Sequence, residues 1–145
     1  MHEYPRMKYY IAVASKDHIE RGVQGGFMQS NHGKSTSLKR LRKGDSIIYY
    51  SPKLYFEKEE KCQCFTAIGE IKDEELYQGV MSSADFQPFR RNVDFYESKD
   101  VSILPLIDDL DFIADKKKWG FYFRFGFLEI SEKDFLLIKN KMVSF

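Results

Sequence analysis

The segment KYYIAVAS, residues 8–15, holds aromatic and β-branched side chains and has no charge after Lys8. Such side chains pack well on a pleated surface, so the segment predicts a buried β-strand. Residues 16–21 (KDHIER) follow directly and have room for one helical turn, which we expect Gly22 to end. A strand joined at once to a short helix therefore begins the predicted fold.

The next stretch is rich in glycine. Residues 22–37 (GVQGGFMQSNHGKSTS) contain four glycines and predict a loop over much of their length. At the end of this stretch, a serine or threonine among residues 35–37 is suited to cap a short helix with Leu38 and Leu41 on one face.

Four further segments have the apolar or alternating patterns of strands: SIIYYS (46–51), CFTAIGEI (64–71), residues 86–96 and WGFYFRFGFLEI (119–130). We expect Pro52 to end the first of them, and Gly126 is a candidate bend or break in the last. Residues 105–110 predict a short helix. Residues 131–142 (SEKDFLLIKNKM) give the clearest helix pattern, with Ser131 as its N-cap.

Together these elements predict one α+β domain over residues 1–145. We expect a small, curved, mixed β-sheet that forms a partly closed barrel, flanked by short helices and a C-terminal helix. The length suits a single domain, and the sequence shows no internal repeat and no linker.

Composition excludes several classes of protein. The chain is 43% apolar and 31% charged, which is typical of a globular domain and not of a disordered one. No apolar run approaches the roughly 20 residues of a membrane-spanning helix, and the first residues lack the apolar core of a signal peptide, so we expect a cytosolic protein. Cys62 and Cys64 are too few for a structural zinc site, and we interpret them as buried thiols.

Charge is unevenly distributed along the chain. The net charge is +1, but residues 1–53 carry ten basic and four acidic residues, whereas residues 54–145 carry thirteen and eighteen. This asymmetry suggests a basic face contributed mainly by the first third of the chain, unless the fold interleaves the two parts.

Catalytic and nucleotide-binding motifs are not present in the sequence. There is no GxSxG, HExxH or DFG pattern, so a structural or binding role is favoured for His18 and His32. The run Gly33-Lys34-Ser35 resembles the end of a phosphate-binding loop, but Met28 occupies the position of the first glycine. We therefore expect no nucleoside triphosphate, no metal and no cofactor.

Aromatic and basic residues alternate near the predicted strand ends, which is a pattern that suits nucleic acid. The candidate stacking residues are Tyr49, Tyr50, Trp119, Phe121 and Tyr122. The candidate phosphate contacts are Lys16, Lys34, Arg40, Arg90, Arg91 and Arg124. For any single Phe or Tyr, a place in the core is the alternative.

Four motifs carry a resemblance to a known family: SKDH (15–18), GGFMQ (25–29), HGK (32–34) and YYSP (49–52). In these motifs, and along nearly the whole chain, the sequence resembles the small stand-alone bacterial and archaeal branch of the EVE-domain family. The resemblance implies a PUA-like fold related to the YTH domains, which read methylated adenosine in RNA. It also implies a domain that binds modified bases in DNA or RNA.

The resemblance assigns expected roles to particular residues. The expected base-binding pocket consists of Ser15, Lys16, His18, Gln29, His32, Tyr50, Ser51 and Trp119. The expected phosphate contacts are Lys34, Arg90, Arg91 and Arg124. This chain has one Trp, fewer than a YTH-type cage contains, so its pocket differs from a methyladenosine cage.

The expected function is a non-catalytic module that holds a flipped-out, modified base within a basic rim, with RNA and DNA both open as partners. An alternative is a small enzyme acting on a modified nucleoside, with His18, His32 or Asp17 as acid or base. A third is a sensor of another small ligand. Oligomeric state stays open at this point.

Overall fold

The computed structural model describes residues 7–29, 35–79 and 87–144. Its strands are β1 (Tyr9–Val13), β2 (Phe27–Gln29), β3 (Ser46–Lys53), β4 (Lys61–Gln78), β5 (Phe89–Phe95), β6 (Val101–Ser102) and β7 (Phe127–Ile130). Its α-helices are α1 (Lys16–Gly25), α2 (Thr36–Arg40) and α3 (Glu132–Met142). Two 3-10 helices span Leu104–Asp109 and Trp119–Phe123.

The seven strands form one mixed sheet in the order β2-β5-β4-β3-β1-β7, with β6 paired to β4 off this path. β1 and β3 are parallel, from Tyr9 opposite Ser46 to Val13 opposite Tyr50, and the other pairs are antiparallel. A parallel pair needs a crossover connection, and the chain supplies one that contains α1, β2 and α2. The predicted α+β fold with a mixed sheet, short helices and a C-terminal helix is confirmed.

The predicted partial closure into a barrel is wrong. Within the described residues, the edge strands β2 and β7 pair only with β5 and β1, so the sheet remains open. Both edge strands are short, with three residues in β2 and four in β7, so each has few backbone groups with which a further strand could pair.

Side chains alternate across the sheet and build two separate cores. One face carries Ile11, Ile48 and Tyr50 and packs against α3 and both 3-10 helices. The other carries Ala12 and Tyr49 and packs against side chains of α1, β2 and α2: Ile19, Met28 and Leu38. We call these the α3 face and the α1 face.

Several predicted boundaries differ from the structure. α1 continues to Gly25 and ends at Gly26, which has a left-handed φ of 73°, instead of ending at Gly22. Gly22 is needed for a close approach, because a Cβ there would lie 2.5 Å from the carbonyl oxygen of Phe27. β3 runs through Pro52 to Lys53, and β4 extends to 18 residues.

The predicted strand over residues 119–130 is also wrong in its first half. Trp119–Phe123 is a 3-10 helix, and only Phe127–Ile130 is a strand, with Gly126 at φ 76° between them. The alternating phenylalanines therefore do not share a face: Phe123 is buried, whereas Phe125 is 78% exposed. No helix of the described residues is long and apolar enough to cross a membrane.

The C-terminal helix is confirmed, and its first turn makes a buried connection. Ser131 Oγ accepts the N–H of Asp134, as expected of an N-cap. The buried carboxylate of Asp134 accepts the N–H groups of Asp111 and Phe112, both at 2.9 Å. Asp134 therefore fastens α3 to the chain that follows the first 3-10 helix.

We predict that Asp134→Ala lowers the free energy of unfolding by about 3 kcal/mol, because two buried N–H donors lose their charged acceptor. Glu132→Ala, in the same turn but exposed, should cost only about 0.5 kcal/mol through the helix dipole. Urea denaturation followed by circular dichroism measures both values. Equal losses in the two variants would contradict the structural role of Asp134.

Candidate functional site

The C-terminal ends of the parallel strands β1 and β3 lie at the same end of the sheet, and α1 starts there. Ala14 N–H donates to the carbonyl of Tyr50 at 3.2 Å, and Asp17 N–H donates to the carbonyl of Leu54 at 3.0 Å. These two bonds join the start of α1 to the segment that follows β3. We call this end of the sheet, formed by residues 14–18 and 50–56, the α1 end.

Ser15 and Asp17 form a polar pair at the α1 end. Ser15 is buried, and its hydroxyl donates to Asp17 Oδ1 at 2.5 Å, so it makes no side-chain cap for α1. Burial disfavours the charge on Asp17, but hydrogen bonds from Ser15 and from the N–H groups of His18 and Phe56 keep the pKa of Asp17 below its usual value. Asp17 is therefore an ionised acceptor near neutral pH.

Lys16 lies in a cluster with Asp100 and the two cysteines. Its Nζ lies 2.5 Å from Asp100 Oδ2, and this hydrogen bond raises the pKa of Lys16. Burial and the neighbouring Cys62 raise the pKa of the Cys64 thiol to about 11. The thiol is thus protonated at neutral pH, which makes it a weak nucleophile. In the described ranges, no three His, Cys, Asp or Glu side chains are grouped as a metal site.

His18 lies on the outside of the α1 end. Its ring stacks on Phe56 with centroids 5.0 Å apart and an interplanar angle of 21°. Both rings are exposed, so this pair presents flat aromatic surface to solvent beside Ser15 and Lys16.

Gln29 ends β2, and because Met28 points into the core of the α1 face, strand alternation directs the Gln29 side chain to the other side of β2, beside its cross-strand partner Arg90. Its Oε1 accepts Arg90 Nε at 3.0 Å, and its backbone N–H donates to the hydroxyl of Tyr49. The guanidinium of Arg90 also lies 3.9 Å from the centroid of the Phe27 ring. Burial raises the pKa of Tyr49, so its hydroxyl stays protonated.

The backbone of Tyr50 lies at the α1 end, but its side chain, like that of Trp119, packs on the α3 face. Tyr50 is 2% exposed, and its ring stacks on Phe123 at 4.1 Å on the α3 face. Trp119 packs edge-on against Tyr50 at 6.5 Å and is half-buried on that same face. The structure therefore corrects the single predicted pocket, because the Tyr50 ring is buried and the Trp119 ring packs with it in the core of the α3 face.

Two more predicted site residues are structural. Ser51 is fully buried, and its hydroxyl lies 2.7 Å from that of Thr66, where β3 and β4 change register. Arg91 is 2% exposed, and its guanidinium donates to the carbonyls of Leu38 at 2.7 Å, Leu41 at 2.6 Å and Asp73 at 2.8 Å. Neither side chain is available to a ligand, so the predicted base and phosphate contacts of these residues are wrong.

The remaining predicted residues lie in different places. Arg124 is exposed, and its guanidinium carbon lies 5.2 Å from the Phe121 ring centroid. Arg40 is packed over Tyr10 and Phe127, 5.6 Å from each ring centroid. His32 and Lys34 fall outside the described residues. The structure thus brings Ser15, Lys16 and His18 together at the α1 end, whereas Gln29 lies at the end of β2 with its side chain paired to Arg90.

Sequence reasoning missed two features of the α1 end. Asp100 pairs with Lys16 across 84 positions of sequence, and no local pattern indicates such a contact. Phe56 is different, because an aromatic pair within the charged loop LYFEKEE is itself a signal of exposed aromatic surface.

We predict that Arg91→Met lowers the free energy of unfolding by about 3 kcal/mol, because three carbonyl acceptors lose their donor inside the protein. Arg124→Met should change it by less than about 0.5 kcal/mol, since Arg124 is exposed. Urea denaturation distinguishes the two variants. A loss in Arg91→Met no larger than that in Arg124→Met would contradict the structural role.

Comparisons with known proteins agree on one family and one fold. The EVE domain matches residues 8–141. A UPF0310 protein of Mycolicibacterium vanbaalenii is 49% identical over 138 residues, which cover 95% of this chain and 94% of the relative.

Two solved structures are similar in fold. The YTH domain of the Zygosaccharomyces rouxii MRB1 protein, in complex with N6-methyladenosine RNA, has a TM-score of 0.62 at 14% identity and covers 97% of this chain and 88% of that one. The Pho92 YTH domain, in complex with m6A, has a TM-score of 0.55 at 17% identity, with coverage of 97% and 89%.

Proposed function

The chain belongs to the EVE-domain family, and from this premise we propose that it is a nucleic-acid-binding domain that holds one flipped-out, modified base. The observation that carries the proposal is the likeness in fold, over 97% of the chain, to a YTH domain bound to N6-methyladenosine RNA. The identity is low, so the base and its modification are argued from this chain's own residues.

The proposed base site lies between the start of α1 and the end of β2. Ile19 of α1 and Met28 of β2 pack into the same core cluster, which places both elements on the α1 face. Ser15, Lys16, His18 and Gln29 are its described polar members, and His32 follows Gln29 in the chain. Tyr50, Ser51 and Trp119 are left out because of their positions in the fold.

The hydrogen bonds within the site determine which donors and acceptors remain available to a bound base. Ser15 donates its only hydroxyl proton to the ionised Asp17, so the Ser15 oxygen offers a ligand acceptor capacity alone. Gln29 accepts from Arg90 through Oε1, so its Nε2 amide is the group that donates. An acceptor and a donor together suit a base edge that carries both an N–H and a ring nitrogen or carbonyl.

The energetics favour a strand that is already unpaired. Extruding a base from a duplex costs a few kcal/mol, and least when that base is mismatched or single-stranded. Stacking on one aromatic ring returns about 1–3 kcal/mol. The net charge of this domain is only +1, so its electrostatic attraction to a long stretch of duplex backbone is weak. That attraction therefore contributes little towards the cost of extruding a paired base.

Binding without catalysis is part of the proposal. The lowered pKa of Asp17 makes it a weak general base, and the raised pKa of Cys64 keeps that thiol protonated. We expect no turnover when the protein is incubated with modified nucleosides and the mixture is separated by chromatography. Product formation that disappears in His18→Ala would show an enzyme instead.

A binding panel tests the proposal. Fluorescence anisotropy should be measured with single-stranded RNA and DNA 9-mers that carry one central N6-methyladenine, 5-methylcytosine or 5-hydroxymethylcytosine, each against its unmodified counterpart. We expect at least one modified 9-mer to bind about tenfold more tightly, a difference of about 1.4 kcal/mol. Gln29→Ala should remove most of this preference, because it deletes the donor to the base edge.

The matched control is Leu136→Ala, which truncates an exposed apolar side chain on α3. It should leave both the affinity and the preference unchanged. Equal binding of every modified and unmodified pair by the native protein would overturn the proposal.

A further inference from the structure

Phe121 and Phe125 form an exposed aromatic pair that the fold does not use. Phe125 is 78% exposed and Phe121 is 48% exposed, and their ring centroids lie 6.3 Å apart. Burying a Phe side chain stabilises a protein by about 1.5–3 kcal/mol, and Phe125 gives up most of that contribution. A large apolar ring held in solvent is typical of a contact surface.

Strand pairing places this pair at the α1 end of the sheet. β7 is antiparallel to β1, with Phe127 opposite Ala12 and the Val13 N–H donating to the Gly126 carbonyl at 2.9 Å. Phe125 therefore lies beside the point where β1 leads into Ser15. The segment after β3 lies on the other side of β1, about 10 Å from β7 across two strand spacings.

The charge along the segment that carries the pair is mainly positive, although the exposed Asp115 lies beside it and accepts the N–H groups of Lys117 and Lys118. Residues 116–125 (KKKWGFYFRF) contain four basic residues and no acidic one. The guanidinium carbon of Arg124 lies 5.2 Å from the Phe121 ring centroid, and the exposed Lys117 and Lys118 come directly before the 3-10 helix that contains Phe121. Lys116 is occupied, because its Nζ donates to the carbonyls of Ile107 and Leu110.

The opposite side of the α1 end has a different charge. Residues 53–61 (KLYFEKEEK) carry three glutamates and three lysines, and Lys53 Nζ lies 5.6 Å from the ring centroid of the exposed Phe56. A phosphate backbone is therefore attracted more strongly to residues 116–125 than to this segment. The difference favours the β7 side of β1 as the path of a bound strand.

We propose that Phe121, Arg124 and Phe125, with Lys117 and Lys118, bind single-stranded nucleic acid next to the held base. One or two flanking bases stack on Phe125 and Phe121, and their phosphates lie against Arg124, Lys117 and Lys118. Every base has a flat face, so these contacts are independent of sequence and of modification. The inference rests on the proposed function, since the strand is the one whose modified base occupies the site between α1 and β2.

The test uses unmodified single-stranded 9-mers of uridine and of thymidine, measured by anisotropy at several salt concentrations. We expect Phe125→Ala to weaken their binding about tenfold, the usual effect of losing one stacked base. Phe125→Trp should restore binding because it keeps a flat ring, whereas Phe125→Leu should behave like Phe125→Ala. Arg124→Gln should reduce the magnitude of the slope of log K against log salt by about 0.7.

Leu136→Ala again serves as the exposed apolar control and should bind the 9-mers like the native protein. The inference is overturned if Phe125→Ala binds them with native affinity, or if Phe125→Leu restores binding as well as Phe125→Trp. It is also overturned if Phe125→Ala changes only self-association in sedimentation experiments, which would mark this surface as a contact between copies.

The two proposals fail in different ways. If the native protein prefers a modified 9-mer but Phe125→Ala binds it equally well, the base site stands and the flanking surface does not. If binding of unmodified 9-mers depends on Phe125 while no modification is preferred, the flanking surface stands and the base site does not.

Discussion

Parallel pairing of β1 with β3 is the constraint from which the arrangement of the site follows. Two parallel neighbours cannot be joined by a hairpin, so the chain between Val13 and Ser46 must cross over one face of the sheet. That crossover contains α1, β2 and α2, and its apolar side chains close the α1 face. The start of α1 and the end of β2 are therefore held over the same face before any functional side chain is considered.

The two-residue period of the strands then decides which side chains share a site. Tyr49 and Tyr50 are neighbours in sequence, yet one meets Gln29 on the α1 face and the other stacks on Phe123 on the α3 face. The pairing of β3 with β4 changes register between these two tyrosines, because Tyr49 pairs with Ala67 and Tyr50 with Phe65. This shift determines which residues of β4 lie opposite the rest of β3. The side chains of Tyr49 and Tyr50 therefore cannot line the same pocket within this sheet.

Local patterns predicted the elements whose cause is local. The apolar run of β1, the strand that begins at Ser46 and the Ser131 cap of α3 all depend on residues a few positions apart. The strand predicted over residues 119–130 is wrong in its first half because alternating phenylalanines are typical of a strand. In the structure, Gly126 is left-handed and Phe123 packs against Tyr50, and the chain before them forms a 3-10 helix. Arg91 could not be placed from sequence, since its three acceptors are 18 to 53 positions away.

The same hydrogen bonds that hold the fold together also orient the polar groups of the site. Asp17 donates its N–H to the Leu54 carbonyl, and its carboxylate accepts from Ser15 and from the Phe56 N–H. The start of α1 is thus joined to the loop after β3 through both the backbone and the side chain of Asp17. The lowered pKa of Asp17 keeps its carboxylate ionised, and an ionised carboxylate has no proton to give back. Ser15 must therefore remain the donor in this pair and an acceptor towards any ligand. The proposed preference for a base that carries an N–H therefore rests on how α1 is attached to the sheet.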